Sequence, residues 1–185
     1  MNRARADDAH RTASTRGNLF VTMNTAQTIE VPPGYGRPGH LEGPFTVRDE
    51  PSWVDLDALG HVNHAVYLRF FENARMKYFQ VAGIDGISHS ATTDGAIGPI
   101  LATTTINYRR PVGFPDQLLV KTVCTKIGRS SFTLAAEIWS TQHECVCAEG
   151  TFVIVLLDYA NGHQKVRVPE PVRAAMRALD PALSE

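Results

Sequence analysis

The chain has 185 residues, 43% of them hydrophobic, which suits one compact domain with a sizeable core and is thin for two. Its 18 Lys+Arg stand against 19 Asp+Glu, a formal net charge of -1, so it lacks the basic excess on which general binding to nucleic acid or anionic membrane rests. No apolar run approaches the ~20 residues that a bilayer-spanning helix needs.

Residues 1–44 read as a disordered or loosely attached extension. The first 31 contain one aromatic, Phe20, and 32–44 (PPGYGRPGHLEGP) hold eight Gly or Pro in thirteen positions, too few apolar groups to bury. The compact domain is expected over 45–185. Its first strand is FTVRDEPSWV, residues 45–54, with Pro51 marking an edge position or a bulge. The dense segment DLDALGHVNHAVY follows, and then a long helix. Tyr67, Phe70, Phe71, Ala74, Tyr78 and Val81 recur at helical spacing, and further apolar residues (Val66, Leu68, Met76, Phe79) spill outside that stripe. The spill predicts a helix covered on most sides. Gly83 supplies its stop.

Residues 84–98, rich in Gly, Ser and Thr, read as a loop. Four strands are expected next: ILATTTINYRR ending at Pro111, LLVKTVCTKI, SFTLAAEIW and TFVIVLL. A turn at Asn161-Gly162 leads to a short helix, PEPVRAAMRAL, starting near Pro169. The order is an α+β plan in which a five-stranded, mostly antiparallel sheet wraps a long central helix. The three cysteines, Cys124, Cys145 and Cys147, form no disulfide framework, and their odd count fits a reducing cytoplasm. Cys145 and Cys147 lack the second pair that a structural zinc site needs, so all three read as buried, inert thiols.

The chemistry concentrates in DLDALGHVNHAVY, which sets two carboxylates, a glycine and two imidazoles at the entrance of the helix. A calcium loop does not fit: Leu59 replaces an oxygen ligand, and the twelfth position from Asp55 is Val66. A transition metal on His61, His64 and an Asp is a weak match, because the two imidazoles precede the helix proper. A third use is acid–base or nucleophilic work by a carboxylate facing the helix's first N–H groups, which lack internal partners and carry partial positive charge. Gly60 gives the loop freedom to fold Asp57 over that start. An Asp that merely satisfies loop amides accounts for the same residues, and the pattern alone leaves both readings open.

The segment WVDLDALGHVNHAVYLRFFENARMKYF resembles the signature of the hotdog-fold thioesterases of the 4-hydroxybenzoyl-CoA thioesterase family, in its branch of acyl-CoA thioesterases with D-x-D-x-x-GHVN. The likeness runs from about Phe45 to Leu179, with looser matches at Tyr108 to Pro111 and Ile127 to Phe132. It implies a single hotdog domain that hydrolyses an acyl-CoA thioester to a carboxylic acid and coenzyme A. It implies no cofactor and no metal, only a coenzyme A thioester as substrate. The catalytic aspartate falls on Asp57, and Asp55 is the structural member of the pair. His64 falls where the backbone N–H points at the thioester carbonyl. His61 matches the GHVN form with only a weak catalytic claim, and Glu72 and Arg75 match the helix pattern E-x-A-R, where a helix-surface or subunit pairing and catalysis both remain open.

Asn63, Tyr67, Phe71 and Arg129 are the candidate substrate contacts, with a tie that holds the loop as the other reading of Asn63 and core packing as the other reading of Tyr67 and Phe71. Arg129 is chosen among Arg109, Arg110, Lys121, Lys126, Lys165 and Arg167 as the cation that meets the coenzyme A phosphates. The resemblance also implies a homodimer or homotetramer, while the charge balance and the lack of a long apolar run argue against nucleic acid and membrane as partners. An acyl-carrier-protein thioesterase and a non-catalytic acyl-CoA-binding protein are the alternatives. A hotdog enoyl-thioester hydratase would carry its His and acid in a different motif after the helix, which this sequence lacks.

Overall fold

The computed structural model describes residue 41 and residues 45–84 and 97–183. The extension expected over 1–44 falls outside them, Leu41 aside, as does most of the loop expected over 84–98.

The first strand is shorter than its apolar pattern suggests. β1, Thr46–Asp49, ends before Pro51, which has no N–H to continue a ladder. Ser52 then starts a single 3₁₀ turn, Trp53–Asp55, closed by its N–H and Oγ, both of which donate to Asp55 Oδ2 at 2.7 Å.

The helix α1, Val66–Val81, buries Tyr67, Phe70, Phe71, Ala74, Tyr78 and Phe79 on one side. These side chains meet the sheet, and Phe45 just before β1, edge-on or tilted: Phe71 against Phe152 at 5.2 Å between centroids, Phe79 against Phe132 at 5.8 Å, Tyr78 against Phe45 at 5.3 Å. The expected cover on most sides is not present within one chain. Leu68 is 42% exposed and Val81 43%, in a stripe shared with Arg69, Glu72, Asn73, Lys77 and Gln80. The helix closes at Gly83, whose φ of 71° lets Gly83 and Ile84 donate back to Gln80 and Phe79.

Four more strands and a short sixth complete one sheet: β2, Ile97–Tyr108; β3, Leu118–Ile127; β4, Ser131–Ser140; β5, Cys145–Asp158; and β6, Gln164–Lys165. Their order is β1-β3-β4-β5-β2, with β6 on the end of β5 and every pairing antiparallel. Five strands were expected; β6 is two residues long, too short for alternation to register. β5 begins six residues earlier than the run Thr151–Leu157, through a stretch whose Glu149 and Gly150 break the apolar pattern. β2 ends at Tyr108, two residues short of the expected Arg110, because Arg109 and Arg110 both turn their N–H groups onto the Cys147 carbonyl. The register of β5 against β4 shifts at that point, leaving Cys147 bulged.

The helix α2, Glu170–Leu179, lays Val172 and Met176 into the core. Asp180, just past its end, is buried and accepts from Tyr78 Oη at 2.5 Å and from the Cys124 N–H at 2.8 Å. The result is an α+β fold: an antiparallel sheet with two helices, the entrance of α1 beside the end of β2.

Candidate active site

The loop entering α1 is a set of short reciprocal bonds. Leu56 and Val62 pair as an isolated antiparallel bridge. Between them the Asp57 N–H donates to the His61 carbonyl at 2.8 Å and the Gly60 N–H to the Asp57 carbonyl at 3.0 Å, a turn that Gly60 makes at φ 76°. Asp57 Oδ1 accepts from the Leu59 N–H at 2.8 Å and the His61 N–H at 3.4 Å. Its second oxygen, Oδ2, has no hydrogen-bond partner among the described residues.

Asp55, two positions earlier, has no spare oxygen. Arg69, one turn into α1, reaches back with Nη1 to Oδ1 at 2.9 Å and Nη2 to Oδ2 at 2.6 Å. The Arg69 guanidinium, helped by the Ser52 donors, holds the buried Asp55 carboxyl down at about 2. The Asp55 carbonyl takes the Asn63 N–H at 2.8 Å, so this anchor also fixes the first residue of the helix entrance.

The amides that follow are then accounted for one by one. Val62 N–H donates to the Val112 carbonyl at 2.8 Å, Asn63 N–H to Asp55, Ala65 N–H to Asn63 Oδ1 at 3.0 Å, and Val66 N–H to the Asn63 carbonyl at 2.9 Å. In this run the His64 N–H alone has no partner among the described residues. An unpaired donor at a helix entrance, in a segment whose other amides are pinned, is a fixed dipole available to an oxygen.

Asp57, His61, Val62, His64 and Tyr67 line one open concavity of about 320 Å³, completed by Tyr108, Arg109, Arg110 and Pro111 from the end of β2. Tyr67 is buried; its Oη accepts the Val112 N–H at 3.0 Å, and burial pushes its phenol above the ordinary range. Tyr108 packs edge-on to Tyr67 at 5.2 Å and donates its hydroxyl to the His64 carbonyl at 3.0 Å. Arg109 is paired with Glu149 at 2.7 Å, while Arg110 is exposed and has no ion pair among the described residues.

The structure therefore brings Asp57, His64 and Tyr67 together. Asn63 acts from behind, as the cap of Ala65 and Val66. Phe71 is in the core against Phe152, and Arg129 is in the β3–β4 turn, where its carbonyl takes the Val168 N–H; neither lines the concavity. In the sequence Tyr108 is the end of a strand and the first residue of the loose Tyr108 to Pro111 match, with no site role, and its approach to His64 depends on topology that periodicity does not carry. Cys124 and Cys147 are buried with their thiols pushed up to about 12, which keeps them protonated near neutrality. Among the described residues no group of three or more His, Cys, Asp or Glu is gathered for a metal.

Comparison with known proteins finds relatives among the thioesterases. A model of the thioesterase-like superfamily matches residues 51–176. The chain is 30% identical over 107 residues to the long-chain acyl-CoA thioesterase FadM of Escherichia coli, covering 56% of this chain and 75% of that protein. It is 24% identical over 139 residues to the acyl-CoA thioesterase YbgC of Haemophilus influenzae, covering 75% and 98%. Among solved structures, a Thermus thermophilus thioesterase complexed with coenzyme A and Zn superposes with a TM-score of 0.64 at 31% identity, over 75% of this chain and 96% of that one. With a family match spanning more than half its length and the D-x-D loop inside that match, this chain belongs to the thioesterase-like superfamily.

Proposed function

We propose that the chain hydrolyses an acyl-CoA thioester, with Asp57 as the reacting carboxylate and the His64 amide as oxyanion donor. The observation that carries the proposal is the pairing of a carboxylate oxygen and a backbone N–H, both without partners among the described residues, on residues that line one concavity. The acyl-CoA substrate follows from the relatives named for that activity.

In this reading the thioester carbonyl oxygen accepts from the His64 N–H, which stabilises negative charge as a tetrahedral centre forms. Either Asp57 Oδ2 attacks the carbonyl carbon, or it takes a proton from a water that attacks instead. Collapse of the centre breaks the C–S bond and releases the coenzyme A thiolate, which is protonated by solvent. In the first case water then opens a mixed anhydride; in the second the acid forms directly. The chemistry needs no metal.

The 4-hydroxybenzoyl-CoA thioesterase branch is the proposed kinship within the superfamily, and residues 45–185 the proposed catalytic domain, its sheet wrapping α1 in the hotdog manner. His64, Tyr67 and Arg129 are retained as proposed contacts, with Asn63 holding the loop and Phe71 packed in the core behind them, and Arg110 is the nearer cation for a phosphate of the same chain's substrate. A homodimer is proposed through the free edge of β2, where Ile97, Ile100 and Leu101 are exposed; Arg129 would then serve a site completed by the second copy. Three free thiols support a reducing cytoplasmic setting.

The test is release of free thiol from short, medium, long and aromatic acyl-CoAs, with acyl-carrier-protein esters beside them. Turnover of at least one coenzyme A ester is expected. Activity on carrier-protein esters alone would move the substrate class, and inactivity across the whole panel would contradict the proposal.

A further inference from the structure

We propose that Tyr108 is a positioning residue, whose phenol holds the peptide plane next to the unpaired His64 amide and so aims that amide into the concavity. The inference rests on the thioesterase reading of the same site.

Three observations place the hydroxyl. Tyr108 ends β2, paired with Ala148, and the next two N–H groups, from Arg109 and Arg110, are both fixed on the Cys147 carbonyl at 2.8 and 3.1 Å. Its ring stands at 86° to that of Tyr67, which is itself tied to the Val112 N–H. From this seat Oη donates to the His64 carbonyl at 3.0 Å.

That carbonyl belongs to the peptide unit joining His64 to Ala65, whose N–H is held by Asn63 Oδ1. The unit is thus pinned at both ends. The preceding unit, Asn63 to His64, has its carbonyl taken by Val66 and its N–H free. The two planes meet at the His64 α-carbon, so rotation of one changes the direction of the other. Holding the second plane is therefore a way to aim the free N–H of the first.

The fold itself has little need of the bond. Tyr108 is 47% exposed, and water would satisfy both its hydroxyl and an exposed carbonyl. A bond that stability does not require, made to the residue bearing the oxyanion donor, acts on geometry. Removing it should appear in turnover, because misplacement by about 1 Å can cost ~10²-fold.

The experiment is Tyr108→Phe, which keeps the ring, run beside Asp57→Ala on the best acyl-CoA substrate. The expected result is a fall in kcat of about 10- to 100-fold, with KM within about twofold of wild type. The melting temperature should hold within about 2 °C, and the shape of the kcat–pH profile should not change. Full kcat in Tyr108→Phe would overturn the inference. So would a loss confined to KM, which would make Tyr108 a substrate contact, or a fall in melting temperature with kcat intact. Disappearance of one limb of the pH profile would make it a proton donor and overturn it too. Persistent turnover by Asp57→Ala would instead remove the thioesterase site on which the inference stands, whatever Tyr108→Phe does.

Discussion

Asp55 and Asp57 are two positions apart in one loop, and their surroundings divide the work between them. Asp55 is buried and has both oxygens taken by Arg69 and Ser52; Asp57 uses one oxygen to hold its turn and keeps the other. The D-x-D spacing was legible in the sequence. What separates the two aspartates is Arg69, fourteen residues beyond Asp55, and no local pattern joins them. Because the folded Asp55 carboxyl lies at about 2, below its value in the unfolded chain, its contribution is complete above about pH 4 and is lost as pH falls towards 2. That contribution is on the order of 1–2 kcal/mol, reduced by the half-exposed Arg69 end of the pair. Urea unfolding between about pH 5 and pH 2 should show a steeper loss of stability in wild type than in Asp55→Asn. Parallel curves would mean that the Arg69 pair does not hold the loop.

At the scale of elements, α1 is fixed at its start by the Asp55 anchor and, one turn before its end, by α2. Tyr78 reaches Asp180 at 2.5 Å, and the same carboxylate oxygen takes the Cys124 N–H from β3. Desolvation raises the Asp180 carboxyl, so this group, opposite in sign to Asp55, contributes less as pH rises through its folded value. Tyr78→Phe should cost about 1–3 kcal/mol in urea unfolding while far-ultraviolet dichroism is unchanged, since it removes one of the two donors to a buried carboxyl. A cost below about 0.5 kcal/mol would show that α2 is held by Val172 and Met176 alone. The sequence showed α1 through its helical period, β4 through its alternation, and β3 and α2 through a β-rich run and a leading proline set between turn signals. It did not show β6, the first six residues of β5 or the bulge at Cys147. Those depend on pairing with a distant strand, and their own side chains carry no alternation. The apolar spill on α1 suggested cover on most sides, yet Leu68 and Val81 face outward within one chain.

For the whole molecule, the free edge of β2 and the open stripe on α1 are surfaces that a single copy leaves uncovered. If β2 is the dimer edge, sedimentation should give twice the chain mass, and Leu101→Lys should shift the equilibrium towards monomer. A wild-type protein that sediments as a monomer at micromolar concentration would contradict that assembly. The near-zero net charge of the chain is compatible with a site that gathers its few cations locally, Arg109 and Arg110 at the mouth of the concavity. The central claim is that Asp57 reacts with the thioester while the His64 amide holds the oxygen. It is tested most directly by following thiol release from the best acyl-CoA with Asp57→Ala beside wild type. Turnover should fall by about 10³-fold or more, with the melting temperature within a few degrees of wild type. Hydrolysis by Asp57→Ala within about tenfold of wild type would contradict the account.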